Sequence, residues 1–294
     1  GDYTRAMEVS SAGLSKAEAL KDVERMVHFS NVIGYIHMKQ ENFSEAGKYF
    51  SQYLQLTRKI NKTTLEAHAL YNLGDLAVAR RDYDKALEYL EQSIKVYRRF
   101  NDTASFKLFN LPERESYIAN KMAEAWKLKN NYQKALDYGV IAIQVIDDIT
   151  GVNEYDKVTY CVNVADIYNC LKLPDSAITL IRKGLAIAKT IRHRELTRDC
   201  YEQLSVSFSQ KKIFDSAFFY QHLFTQLKDS IADEISQQEI FRHEADLRVE
   251  KEKLLQEAEL SRQRMWKNII AGIAAFSIII SYLLYNRYRL RQKN

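Results

Sequence analysis

The sequence predicts an all-α chain: a right-handed α-solenoid of helical hairpins, then a long charged helix and one membrane-crossing helix. Three observations carry this. The 294 residues include only 9 Gly and 2 Pro, too little punctuation for a many-stranded sandwich or barrel, whose hairpins each need their own turn residues. A small residue is followed twelve positions later by Ala five times, at Gly34/Ala46, Gly74/Ala86, Ala123/Ala135, Ala165/Ala177 and Ser205/Ala217. Residues 269–285 read IIAGIAAFSIIISYLLY, seventeen in a row without a charge.

The repeat explains residues 1–230. Three positions before each of those alanines stands a ring residue: Phe43, Tyr83, Tyr132, Pro174 and Phe214. Tyr3 precedes Ala6 in the same way, so the alanines fall at 6, 46, 86, 135, 177 and 217, in steps of 40, 40, 49, 42 and 40. Such spacing suits two antiparallel helices whose backbones approach to roughly 8–9 Å, which only small side chains permit. Leu70, Leu73 and Ala77 on one helix, and Leu87, Leu90 and Ile94 on the next, supply a buried stripe. One hairpin cannot cover that stripe, whereas a stack of them can.

Leu70-Tyr71-Asn72-Leu73-Gly74-Asp75, followed by Asp82-Tyr83-Asp84-Lys85-Ala86-Leu87, closely resembles the tetratricopeptide repeat, differing mainly in Leu70 for Trp and Ala77 for Tyr. A second good copy runs from Ile33-Gly34 to Asn42-Phe43-Ser44-Glu45-Ala46, and Met122-Ala123, Val164-Ala165 and Leu204-Ser205 mark degenerate ones. The step near 40 resembles the longer variety of the repeat found in bacterial regulators. The 49-residue step holds an insertion around Asn101–Pro112, expected to form a loop or lip.

That resemblance implies a concave wall built from the first helix of each hairpin. Its inward positions would be Asn31 and Tyr35; His68, Tyr71, Asn72 and Asp75; Tyr117, Asn120, Lys121 and Glu124; and Asn163, Asp166 and Asn169. Amide, phenol and mixed charge suit an extended peptide, whose backbone needs donors and acceptors. The family often carries Asn where Asn72 and Asn163 stand, which gives those two a structural reading as well. It also contains a clamp of Lys, Arg and Asn that grips a C-terminal carboxylate. Here the wall presents Asp75, Glu124 and Asp166 with Lys121 as the main cation, which disfavours a carboxylate-ending ligand.

Residues 231–267 follow as a stalk. From Lys228 to Lys267 there is neither Gly nor Pro, and Ile240, Leu247 and Leu254 recur every seven residues. Ala258 and Met265 join at the second seam position, which Glu244 and Lys251 occupy earlier, so the seam is narrow. A long helix capping the last repeat near Ile231 and Ile235 is expected. It pairs with a second copy as a homodimer, or stands alone as a solvated stalk laced by ion pairs.

Residues 268–286 read as a transmembrane helix spanning a lipid bilayer, with Trp266, Tyr285 and Tyr288 at interfacial positions, and 287–294 as a short basic tail. Ser277 and Ser281 can bond back to the helix. Arg262, Arg264 and Lys267 precede the span and Arg287, Arg289, Arg291 and Lys293 follow it, so charge leaves the orientation open. Repeats, an LKDSI segment, a charged helix, one span and the tail NRYRLRQKN together resemble the sensory half of Bacteroidetes membrane signalling proteins. That resemblance implies a single pass through the inner membrane, periplasmic repeats, and a kinase or helix-turn-helix output beyond this chain. The alternative is a tail-anchored cytosolic adaptor. The start at Gly1, without Met, reads as cut.

The chemistry points away from an enzyme. There is no Gly-rich phosphate loop and no G-x-S-x-G, and the six histidines (His28, His37, His68, His193, His222, His243) lack metal-ligand spacing. Asp147-Asp148 reads as surface. No catalytic residue, metal or cofactor is expected. Nucleic acid is not an expected partner, because seven of the 43 cations follow Glu259 with no acid among them, leaving 36 cations against 38 acids in the body. Cys161 and Cys170 would lie about 13 Å apart on one helix, too far to bridge. All three cysteines are expected as unpaired, half-buried thiols.

Overall fold

The structure, a computed structural model, describes residues 3–99, 111–147 and 153–292. Eleven α-helices and no strand occur among them: α1 (Tyr3–Ala19), α2 (Val23–Lys39), α3 (Phe43–Lys59), α4 (Thr63–Ala79), α5 (Tyr83–Arg99), α6 (Leu111–Leu128), α7 (Tyr132–Asp147), α8 (Glu154–Cys170), α9 (Pro174–Thr190), α10 (Arg194–Gln210) and α11 (Phe214–Gln292). The chain divides into two compact units, residues 1–228 and 229–294. Of the insertion expected around Asn101–Pro112, residues 101–110 lie outside the described residues.

Each expected ring residue opens the second helix of its hairpin: Phe43 opens α3, Tyr83 α5, Tyr132 α7, Pro174 α9 and Phe214 α11. The turns behind them share one device. Lys21, Glu41, Asn61, Arg81, Asn130, Lys172, Arg192 and Lys212 all adopt positive φ, between 53° and 63°. That left-handed residue turns the next N–H back onto the helix just finished, as Asp82 N–H does to Ala77 O at 2.9 Å and Asn42 N–H to His37 O at 2.9 Å. Helices of 17 residues separated by three-residue links generate the 40-residue step directly.

The small positions do what close packing requires. Ala46, Ala86, Ala135 and Ala177 are fully buried, and Ala123 and Ala165 face them. A methyl group on Gly34 would stand 2.6 Å from Phe50 Cδ1, and one on Gly74 would stand 2.8 Å from Leu90 Cγ. Leu87 and Leu90 of α5 pack with Ile118 and Met122 of α6, tying one hairpin to the next. Farther along, Ile181 of α9 packs with Leu196, Leu204 and Phe208 of α10. Each fully buried aliphatic side chain contributes about 1.5–3 kcal/mol.

Phe43 packs against Leu73 and Leu76 of the following hairpin. Its counterpart Phe214, in the last hairpin, is 67% exposed, because no further hairpin follows to cover it. Cys161 and Cys200 are buried rather than half-buried, and Cys170 is intermediate; all three are free thiols. Gly184 lies between the first two: a methyl group there would stand 3.8 Å from both sulfurs. Burial pushes the Cys161 thiol up to about 11 and the Cys200 thiol up to about 12, so both stay protonated at neutral pH.

In the second unit, Ile240, Leu247, Leu254 and Met265 are all exposed along the helix. The helix contains an 18-residue stretch of mean hydropathy 1.8 with none of it buried, long and apolar enough to cross a membrane. Within that region the Ser277 hydroxyl donates to Ile273 O at 2.9 Å, satisfying itself on the helix backbone.

Candidate functional site

A polar ladder joins the first helices of the hairpins, α2, α4, α6, α8 and α10, which the sequence reads as a wall. Asn72 Nδ2 donates to Asn31 Oδ1 at 2.7 Å. Lys121 Nζ reaches Asp75 Oδ1 at 2.8 Å. Asn163 Nδ2 donates to Asn120 Oδ1 at 3.1 Å, and Asn169 Nδ2 donates to Gln203 Oε1 at 3.0 Å. In every case the residue two before the small position, namely Asn72, Lys121, Asn163 or Gln203, binds back to the preceding first helix. Six of the thirteen expected groove residues thus meet each other across the ladder. Asn169 is buried, accepting a further bond from Ser207 Oγ at 2.8 Å.

Charge on this wall is internally balanced. Lys121 also meets Glu124 Oε2 at 2.7 Å. Burial opposes its charge, but Asp75 and Glu124 outweigh it and hold Lys121 above the usual lysine range. Lys127 Nζ pairs with Asp166 Oδ2 at 2.7 Å. The Tyr117 hydroxyl donates to Asp156 Oδ2 at 2.7 Å, and burial followed by that bond drives the phenol well above its ordinary value. Tyr35 stays open, 51% exposed, with Lys39 Nζ 5.2 Å from its ring centre.

Between α2, α4 and the start of α6 the wall opens into a cavity of about 710 Å³. Tyr53 and Tyr97, from the second helices α3 and α5, form part of its lining together with Asn31, His68 and Arg114. The Tyr53 hydroxyl is 3.1 Å from His68 Nδ1, and the His68 ring stacks on Tyr71 with centroids 6.3 Å apart. Burial, and then the Arg114 charge, lower His68 to about 4, so the imidazole is neutral. Burial pushes Tyr71 up to about 12 and Tyr97 up to about 12, with Arg114 opposing the rise at Tyr97.

Tyr53, Tyr97 and Arg114 do not follow from reading first helices alone. Aligning the repeats on their alanines would have exposed the tyrosines. Tyr53 lies seven after Ala46, where the next three copies carry Ser93, Ala142 and Gly184 and the last carries Phe224. Tyr97 lies eleven after Ala86, where others carry Thr57, Ile146 and Ala188. A phenol stands at each of these positions in one copy only, which marks where the stack is filled differently. No group of three or more His, Cys, Asp or Glu able to hold a metal occurs among the described residues.

Residues 24–99 match the tetratricopeptide repeat family. The stack has the fold of a tetratricopeptide-repeat array. Its fold is similar to that of BtubC (BKLC) from P. vanneervenii, with TM-score 0.66 at 17% identity, over 79% of this chain and 93% of that one. It is also similar to a Rap protein complexed with Competence and Sporulation Factor, with TM-score 0.57 at 13% identity, over 79% of this chain and 72% of that one. A Signal Transduction ATPase with Numerous Domains from Pyrococcus horikoshii, which has a tetratricopeptide repeat sensor, gives TM-score 0.61 at 18% identity. That match spans 74% of this chain and 32% of the larger protein. No curated protein sequence matches the chain. At these identities the likeness shows the fold alone.

Proposed function

We propose that the chain is a membrane-anchored interaction module: the array (1–230) holds a peptide or protein segment in its trough, and residues 268–286 fix it in the inner membrane. The observation that carries this is the roughly 710 Å³ cavity set into the inner wall, within the size range of ligand sites. The Rap neighbour, solved in complex with Competence and Sporulation Factor, and the tetratricopeptide repeat sensor of the Pyrococcus horikoshii ATPase support recognition by such a trough. In this reading the array faces the periplasm and the stalk (231–267) pairs with a second copy through Ile240, Leu247 and Leu254. Occupancy of the trough biases the pair between two arrangements.

Three measurements test the parts separately. Peptides selected from a random library against the full chain in detergent should lose binding on Tyr35→Ala; selection of none, or indifference to that change, removes the trough reading. Protease added to spheroplasts should cut the array, whereas protection favours the tail-anchored cytosolic adaptor. Leu247→Cys in membranes should cross-link two copies, and failure to do so ends the relay.

A further inference from the structure

We propose that a second cavity, between α7, α8 and α9, receives a free phenol whose ring lies on Tyr168, in the place that the other hairpins fill with a tyrosine of their own. This cavity shares no lining residue with the one in the trough, so the proposal stands apart from the trough reading. Three positions after the repeated alanine, the second helices carry Tyr49, Tyr89, Tyr138 and Tyr220, but α9 carries Leu180. The tyrosines bed on their own hairpins. Tyr89 packs on the cluster of Leu73 and Leu76, and Tyr138 on the cluster of Ala123 and Ala135.

The first helices hold rings at the matching place. Three positions after the small residue stand His37, Trp126, Tyr168 and Phe208, with Ala77 the exception. Phe208 stacks on Tyr220 with centroids 5.6 Å apart and planes 4° apart, and His37 stacks on Tyr49 at 5.6 Å and 18°. Tyr168 has no ring contact among the described residues, because the facing position is Leu180. The space a tyrosine would take is open: a cavity of about 450 Å³ lies there, lined by both Tyr168 and Leu180, and within the size range of ligand sites.

Val140, Ile143 and Val164 supply the rest of the apolar wall, and Gln144, Ser176 and Lys183 add polar groups to the lining. A ring needs an apolar wall with a stacking face, and a phenol needs in addition one group to accept its proton and one to donate to its oxygen. Gln144 and Ser176 can serve in either role. Lys183, which enters no ion pair among the described residues, can serve as the donor. Asp175, the one carboxylate in the lining, is held by Lys211. The recess of about 370 Å³ beside Tyr49 differs, because its walls are mostly polar, Glu18, Glu45, Lys48 and Gln52 among them.

The test is calorimetric titration of the full chain in detergent micelles, corrected by the same titration into micelles alone. The probes are p-cresol, which is the tyrosine side chain as a free molecule, its saturated counterpart 4-methylcyclohexanol, and an acetylated Gly-Tyr-Gly amide. p-Cresol should bind at least about threefold tighter than the saturated alcohol, whose ring cannot stack. Leu180→Tyr, which supplies the missing ring from within, should abolish p-cresol binding and raise Tm by about 2–4 °C. Tyr168→Leu removes the stacking face without filling the space. It should weaken p-cresol about threefold and leave 4-methylcyclohexanol unmoved, which keeps the site testable should Leu180→Tyr fold poorly. No p-cresol binding by ~10 mM, equal binding of the two alcohols, binding that survives in a folded Leu180→Tyr chain, or indifference to Tyr168→Leu overturns the proposal. A tripeptide amide that binds more than about tenfold tighter than p-cresol also overturns it, in favour of a tyrosine carried on a protein partner.

Discussion

Asn72 Nδ2 lies 2.7 Å from Asn31 Oδ1, joining the first helices of two neighbouring hairpins, and Asn163 repeats the bond to Asn120 at 3.1 Å two hairpins later. Both donors stand two residues before a small position, and both acceptors stand three before one. The bonds set the lateral register of one hairpin on the next. They also consume donor capacity that a peptide backbone would otherwise meet on the open wall.

Breaking one rung should therefore cost stability before it costs binding. Asn72→Ala leaves the half-buried Asn31 oxygen without its donor, a loss of about 1 kcal/mol. Asn163→Ala should cost a similar amount, and because the two pairs share no partner the double variant should be additive. Urea unfolding of the full chain in detergent reads both values. A neutral outcome would mean that water replaces the rung.

Two glycines should respond oppositely to the same change. Gly74→Ala places a methyl 2.8 Å from Leu90 Cγ and 2.9 Å from its Cδ2, forcing the helices apart at a cost of about 1–3 kcal/mol. At Gly47 the nearest atom to the new methyl is Leu76 Cδ2 at 3.5 Å, an ordinary contact. Gly47→Ala should then gain up to about 1 kcal/mol of helix propensity. Denaturation midpoints of the two variants decide it.

The left-handed turn residues are a second source of stability. Arg81 sits at φ 63°, a conformation glycine adopts without steric cost. Arg81→Gly should stabilise by about 0.5 kcal/mol, net of the extra entropy of the unfolded chain, and Arg81→Val should destabilise by about 1 kcal/mol. Thermal melts of the two variants should bracket the parent.

His68 makes stability depend on pH. Its pKa falls from 6.5 in the unfolded chain to about 4 in the fold, through burial and then Arg114. Below 6.5 the unfolded chain takes up a proton that the folded chain refuses. The contribution is therefore complete above pH 6.5, shrinks as pH falls towards 4, and is flat below. About 2 kcal/mol should be lost between pH 7 and pH 5. His68→Gln should flatten that part of the profile, and an unchanged slope would assign the loss to other groups.

The hairpins were legible because their signals are local and repeated. Gly34, Gly74 and the buried alanines report how closely two backbones approach, and Phe43, Tyr83 and Pro174 report where a helix restarts. The wall was legible only as a location. Tyr71, Asn72, Asp75 and Lys121 lie on first helices, yet whether each faces a ligand or its neighbour depends on side chains about 40 residues away. Tyr53 and Tyr97 escaped because they belong to second helices, and their reach into the cavity depends on hairpin stacking.

By itself the sequence determined the all-helical class, the 40-residue step, the positions of close approach and the apolar stretch near the C-terminal end. Each of these follows from side-chain size, periodicity or hydropathy within a short window. Only the tertiary structure decided which polar groups are spent on the ladder and which line the cavity. Hydrogen bonds and ion pairs are settled by distances of about 3 Å between helices, and no spacing along one chain fixes a distance across the stack.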